Sequence, residues 1–198
     1  MIVFGLTGGI ACGKSTVTKT FRNHDIPIVD ADIVARQVVE LGTDGLQEIV
    51  KCFGKDYLNE DGSLNRIKLG DKVFHDKIAM YAINCIMAPL IKKEAQKQFN
   101  TLFMMGHRLV GYDAALIVEM GDADKYRPLI VVNCPFEIQI ERLIKRNNLT
   151  LEQAKARIDA QIPLSEKVKL ADYVIDTSGT VENSVQQTLE IIFKLKSQ

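Results

Sequence analysis

The sequence predicts an α/β protein, an open parallel five-stranded sheet flanked by helices, and three observations predict it. Short continuous apolar runs recur along the chain, amphipathic helical patterns stand between them, and a glycine-rich segment joins the first run to the first helix. Continuous apolar runs, unlike alternating ones, suit strands covered on both faces. Strand–helix–strand alternation with right-handed crossovers builds a sheet of that kind.

The elements follow in order. Residues 2–6 read as the first strand and 14–23 as the helix after it. A short second strand is expected at 26–29, a third within 109–118, a fourth at 129–132 and a fifth at 173–175. Pro135 opens a helix over 136–146, since proline suits the start of a helix. The last helix, 181–195, places Val181, Val185, Leu189 and Ile192 on one face. Two segments interrupt the pattern. Residues 33–106 hold a turn at Asp61-Gly62 and an apolar helical stretch over 73–103. A plain crossover needs about a dozen residues, so this segment is expected to carry a helical subdomain. Residues 142–169 form the second, where Thr150 and Gln153 fit a capping box. The remaining segments, 1–32, 107–141 and 170–198, make up the core of a single domain.

Composition excludes several classes. A chain of 198 residues supports one substantial core with attached subdomains. Basic and acidic residues balance at 25 each, so no global field favours nucleic acid or an anionic membrane. The first residues lack the cationic start of a signal peptide. The longest apolar stretch, 81–91, contains Asn84 and Pro89 and is too short to span a bilayer. Cys12, Cys52, Cys85 and Cys134 are scattered without metal-ligand spacing and read as reduced thiols. His24, His75 and His107 likewise lack such spacing. The expectation is a cytoplasmic protein, a monomer or weak homo-oligomer, with small-molecule partners and neither nucleic acid nor membrane.

The decisive motif is Gly8-Gly9-Ile10-Ala11-Cys12-Gly13-Lys14-Ser15, followed by Thr16. It matches G-x-x-x-x-G-K-[ST] and stands between a strand and a helix, the context the motif requires. Gly8 and Gly13 can close a loop around a phosphate without a Cβ clash. Successive N–H groups make an anion nest, and the helix N-terminus adds partial positive charge. Lys14 supplies a point charge for the β- and γ-phosphates, and the Ser15 hydroxyl suits Mg²⁺. Cys12 reads as a small residue that fits the loop. The chemistry implied is binding of ATP with magnesium on a P-loop fold. As in kinases of that fold, the third strand is expected between the first two.

Asp30-Ala31-Asp32 ends the second strand. In open α/β sheets the carboxyl ends of strands line the ligand crevice. A carboxylate there can accept the proton of an attacking hydroxyl or hold magnesium through water. Asp32 also suits the N-cap of a helix starting at Ile33, and spacing alone leaves these roles open. Within 142–169, seven basic residues face three acidic ones. Cations over a migrating phosphoryl group, and exclusion of water, are what phosphoryl transfer needs from a lid. Arg142 has the fork geometry phosphates require. Lys145, Lys155, Lys167 and Lys169 read as solvated surface.

Residues 30–42, with Gly5-Leu6-Thr7-Gly8-Gly9-Ile10 ahead of Gly13-Lys14-Ser15-Thr16, resemble the signature of the dephospho-CoA kinase family. The resemblance continues through Asn65-Arg66, Val73-Phe74, the segment 116–119, Gln139 to Arg142 with Arg146, and Arg157-Ile158 with Gln161. It ends in Ala171-Asp172-Tyr173-Val174-Ile175-Asp176 and Gly179. The chain departs from the family pattern at Ala88, Ala115 and Thr177-Ser178. The resemblance implies phosphorylation of the ribose 3'-hydroxyl of dephospho-CoA by ATP, the last step of coenzyme A synthesis. It implies Asp32 as the base, Arg36 near the acceptor, and Arg142 and Arg146 on the nucleotide or the moving phosphate. The acceptor site also takes in Thr7 and Glu119, the latter read either as orienting substrate or as ending a strand, and the phosphate loop brings Gly9, Ala11 and Cys12 into the nucleotide site. The alternative is another small-molecule or nucleotide P-loop kinase. A GTPase-type switch would need an Asn-Lys-x-Asp motif, which the sequence lacks.

Overall fold

The computed structural model describes residues 2–197. In chain order the elements are β1 (Ile2–Gly8), α1 (Lys14–Asn23), β2 (Ile28–Asp30), α2 (Ala31–Gln37), α3 (Asp44–Phe53), α4 (Arg66–His75) and α5 (Lys77–Met104). Then come β3 (Leu109–Asp113), β4 (Leu129–Asn133), α6 (Phe136–Asn147), α7 (Leu151–Asp159), α8 (Leu164–Lys169), β5 (Tyr173–Asp176) and α9 (Val181–Lys196). The five strands form one sheet in the order β2-β3-β1-β4-β5. The third strand thus lies between the first two, as expected. Pairing is parallel, with Ile2 opposite Leu109, Gly5 opposite Leu129 and Ile130 opposite Tyr173. The centre of the sheet is buried: Phe4, Leu6, Leu129, Ile130, Val131, Val132 and Ile175 have no exposed surface, whereas Val174 on the edge strand β5 is exposed.

The chain divides into two compact units, Met1–Val29 with Leu102–Gln198, and Asp30–Thr101. In the first, α1 buries Val17, Thr18, Thr20 and Phe21, and the Phe21 ring lies 4.8 Å from that of Phe4. Burying an aromatic side chain of this size contributes about 1.5–3 kcal/mol. α1 packs on α9. The face that α9 buries is rotated from the expected one: Ser184, Thr188, Ile191, Ile192 and Leu195 are buried, whereas Val181 is exposed. The rotation is affordable because the two hydroxyls bond back within the helix, Ser184 Oγ to the Thr180 carbonyl at 3.2 Å and Thr188 Oγ1 to the Ser184 carbonyl at 2.7 Å.

The second unit is helical. Its core is Val39, Leu46, Ile49, Leu64 and Leu69, with Tyr57, Val73, Ile83 and Met87 packed against it. Thr43 caps α3 through the Leu46 N–H, and Asn65 caps α4 through the Lys68 N–H. The single helical stretch expected over 73–103 is two helices, broken at Asp76. That carboxylate accepts the N–H groups of Ile78 and Ala79 and pairs with Lys72, restarting the helix as a cap. The third strand lies within the apolar run 109–118, as expected, and ends at Asp113 before a series of turns over 115–120. No helix among the described residues is long and apolar enough to cross a membrane.

Close approach in the sheet depends on Gly111. A Cβ there would lie 2.3 Å from Ile28 Cδ1 and 2.8 Å from Phe4 Cζ. Gly111→Ala is expected to cost about 1–3 kcal/mol by overpacking, read as a lower urea midpoint at unchanged slope.

Candidate active site

The phosphate loop leaves β1 at Gly8, where a Cβ would sit 2.7 Å from the Val132 carbonyl oxygen. The loop therefore lies directly over β4, and no larger residue starts it without separating the strands. Gly13 ends it with φ 77°, the left-handed conformation. Ala11 is left-handed as well, φ 61°, which costs a residue with a Cβ about 1–2 kcal/mol. The loop is tied at its outer side. The Cys12 N–H donates to the Gly9 carbonyl, and the Cys12 carbonyl accepts from Thr177 Oγ1 at 2.8 Å.

α1 begins without a side-chain cap, whereas Thr43, Thr150 and Thr180 cap α3, α7 and α9. The first-turn N–H groups of a helix have no intrahelical acceptor. Here the Thr16 N–H donates to the Gly13 carbonyl at 3.0 Å, and the N-terminus of α1, at the positive end of the helix dipole, suits an anion. Ser15 is exposed on this turn and Thr16 half-buried. Cys12 is buried; its 3.4 Å Sγ–Sγ contact with Cys134, together with burial, pushes its thiol well above the ordinary range. That makes it an unreactive thiol, as a small fitting residue should be.

The Lys14 ammonium is paired with Asp113, at the carboxyl end of β3. Thr18 Oγ1 donates to the second Asp113 oxygen at 2.7 Å. Asp113 is only 4% exposed, so both contacts are needed to hold its charge there. The sequence reading missed Asp113, though the signal was present: an apolar strand ending in Asp, as the second strand ends at Asp30.

Arg142, on α6, is half-buried beside the loop, and its guanidinium donates to Thr177 Oγ1 at 3.2 Å and to the Thr177 carbonyl at 2.7 Å. Its Nη1 would be 3.7 Å from a Cβ on Gly13. Arg146 is exposed and donates to Asn147. Thr7 is fully buried, with its hydroxyl donated to the Ala115 carbonyl at 3.0 Å. Glu119 Oε1 accepts the Ile162 N–H and pairs with Lys167 Nζ at 2.6 Å, while its Oε2 is buried without a hydrogen-bond partner among the described residues. Lys167 corrects the sequence reading. It is not solvated surface but fully buried, bonded to Glu119 and to the Ala115 carbonyl at 2.9 Å. The capping box at Thr150 and Gln153 is present as expected.

Asp32 and Arg36 lie in the second unit, both exposed on α2. The cap of α2 is Asp30, whose Oδ1 accepts from the N–H groups of Asp32 at 2.9 Å and Ile33 at 3.2 Å. The N-cap role considered for Asp32 therefore belongs to its neighbour, and the Asp32 carboxylate stands in the first turn of α2.

A family model for dephospho-CoA kinase matches residues 2–183. The chain belongs to the dephospho-CoA kinase family. A dephospho-CoA kinase of Listeria innocua is 46% identical over 188 residues, 95% of this chain and 94% of the relative. One of Bdellovibrio bacteriovorus is 41% identical over 197 residues, 98% of each chain. Among solved structures, a Thermus thermophilus protein superposes with a TM-score of 0.85 at 26% identity, covering 98% of this chain and 96% of that one. The dephospho-CoA kinase of Campylobacter jejuni does so at 0.74 and 28%, with the same coverage. A shikimate kinase of Aquifex aeolicus, at 18% identity and a TM-score of 0.51, shares the fold.

The buried Lys167–Glu119 pair gives a stability prediction. Lys167→Met leaves an uncompensated buried carboxylate and is expected to cost about 3–5 kcal/mol. Adding Glu119→Leu should recover most of that loss in urea unfolding, because replacing both partners removes the stranded charge.

Proposed function

We propose that the protein transfers the γ-phosphoryl group of ATP to the 3'-hydroxyl of dephospho-CoA, giving coenzyme A and ADP. The observation that carries the reading is the uncapped α1 N-terminus at a left-handed Gly13, with Lys14 and a buried carboxylate beside it. Family membership supplies the acceptor.

The residues divide the work as follows. The loop from Gly8 to Thr16 holds the phosphates through those of its N–H groups that no protein acceptor takes, and Lys14 exchanges Asp113 for phosphate oxygen when the nucleotide arrives. Asp32 takes the proton as the acceptor oxygen attacks the γ-phosphorus and the bond to the β-phosphate oxygen breaks. Arg142 turns from Thr177 to the equatorial oxygens, where charge collects in the transition state. Arg36, Thr7 and Glu119 belong to the acceptor side, and Arg146 to the nucleotide side. The helical unit receives the acceptor, and the basic segment 142–169 closes over both substrates and excludes water.

The residues fit Mg²⁺. Ser15 offers a hydroxyl on the turn of α1 whose Lys14 and Thr18 touch Asp113, so a hard hydroxyl and a carboxylate stand at the same turn. An ion that takes most of its ligands from phosphate and water needs no larger protein cage, and no cluster of three His, Cys, Asp or Glu is placed to make one among the described residues. When bound, the ion would neutralise charge on the β- and γ-phosphates, and Ser15 would hold it. The four cysteines are free thiols, which suits a reducing cytoplasm. The reading is of a monomer or weak homo-oligomer acting on two small molecules, without nucleic acid or membrane.

The test is ADP release from ATP and Mg²⁺ with and without dephospho-CoA, with the product identified by mass. Acceptor-dependent turnover giving coenzyme A is expected, and turnover indifferent to the acceptor would overturn the substrate assignment. Asp32→Asn should lower kcat by about 100- to 10,000-fold, the range for general-base catalysis, while ATP binding measured by calorimetry is retained. Near-normal turnover in that variant would remove Asp32 from the base role.

A further inference from the structure

The phosphate loop is held at its tip by two side-chain amides. Gln139, buried on α6, donates from Nε2 to the Ile10 carbonyl at 2.9 Å. Gln161, in the turn between α7 and α8, accepts the Ile10 N–H on its Oε1 at 2.8 Å. The peptide groups on both sides of Ile10 are therefore fixed in orientation. The next residue is Ala11, the one whose left-handed backbone is unfavourable for a side chain. A loop with a strained residue keeps that conformation only where its surroundings impose it.

Gln161 is itself held firmly. The N–H of the next residue, Ile162, donates to Glu119 Oε1 at 3.2 Å, and the same oxygen pairs with the buried Lys167. Lys167 also donates to the Ala115 carbonyl, which accepts the Thr7 hydroxyl just ahead of the loop. Residues 161–167 are thus clamped to the turn after β3, and that clamp carries the amide of Gln161 to the loop tip. The route from Lys167 through Glu119, Ile162 and Gln161 to Ile10 lies wholly within one compact unit.

We propose that Gln161 is a positioning residue for the nucleotide. Its amide oxygen, held in place by the Glu119–Lys167 pair, fixes the Ile10 peptide and with it the left-handed turn at Ala11. The start of α1 is then set for the phosphates before ATP arrives. The inference rests on the phosphate-binding reading of the loop and does not depend on which acceptor receives the phosphoryl group.

The experiment is calorimetric titration with MgADP, which needs no acceptor, on the full chain and three variants: Gln161→Ala, Ala11→Gly, and the two combined. Gln161→Ala should weaken MgADP binding roughly tenfold, about the worth of one hydrogen bond. In steady state it should raise the KM for ATP by a similar factor while kcat at saturation changes less than about threefold. Glycine adopts the left-handed turn without a Cβ penalty, so in the Ala11→Gly background the loss on removing Gln161 should shrink to about threefold or less. Binding unchanged in Gln161→Ala would overturn the proposal. An equal loss in both backgrounds, or a fall confined to kcat, would overturn it too, since either separates Gln161 from the turn at Ala11. A wild-type protein that binds MgADP but makes no coenzyme A would sink the substrate assignment and leave this inference standing. One that does not bind MgADP would overturn both.

Discussion

A carboxylate buried at the end of β3 sets the terms for everything around it. Asp113 is almost wholly removed from water, and a charge so placed is tolerable only with a cation and hydrogen bonds in contact. Lys14 and Thr18 supply them, one turn apart on the same face of α1. The contact therefore fixes the rotation of α1 about its axis and its height over the sheet. Gly13, immediately before Lys14, is fixed in turn, and the first-turn N–H groups face outward as a consequence. The helix cannot be turned or raised without stranding the carboxylate.

The basic segment after α6 is less separate from the core than its charge suggests. Its excess of cations marks a solvent-facing surface, yet Lys167 points inward and is fully buried against Glu119. A buried ion pair is weak evidence for stability, because desolvation offsets most of the attraction. It is stronger evidence for placement, since either charge alone would be costly and the two must meet. Lys167 and Glu119 thus fix where α8 stands on the turn after β3. Of the remaining cations of 142–169, Arg142 is half-buried and Lys145, Arg146, Lys155, Arg157 and Lys169 are exposed.

What the sequence revealed follows from how local each signal is. The strands, the phosphate loop and the capping box at Thr150 were legible because each is written in neighbouring residues: an apolar run, a glycine spacing, a threonine three positions before a glutamine. The place of β3 beside β1 came from the fold type and is matched by the register of Ile2 with Leu109. The failures involve partners distant in sequence. Lys167 looked like solvent-facing charge because its partner lies 48 positions away. Asp32 was read as the cap of a helix starting at Ile33, and because the helix starts two residues earlier the cap is Asp30. Gln139 and Gln161 carry no chemistry that draws attention in a sequence, and their contacts with Ile10 span more than 120 positions.

The phosphate loop is built to be completed by its ligand. Its helix has no side-chain cap, one of its residues is held left-handed against its preference, and its lysine is engaged with a buried acid. The first leaves donors imperfectly satisfied and the second costs the free protein stability, and in the proposed reading an arriving phosphate improves the first. It accepts the first-turn N–H groups and gives Lys14 a second anion. Lys14 cannot serve both anions fully, however, so drawing it toward phosphate weakens its hold on Asp113. By linkage, whatever binds the folded protein and not the unfolded chain adds RT ln(1 + [L]/Kd) to its stability. The stability that the empty loop forgoes is thereby returned in the state that carries out the reaction.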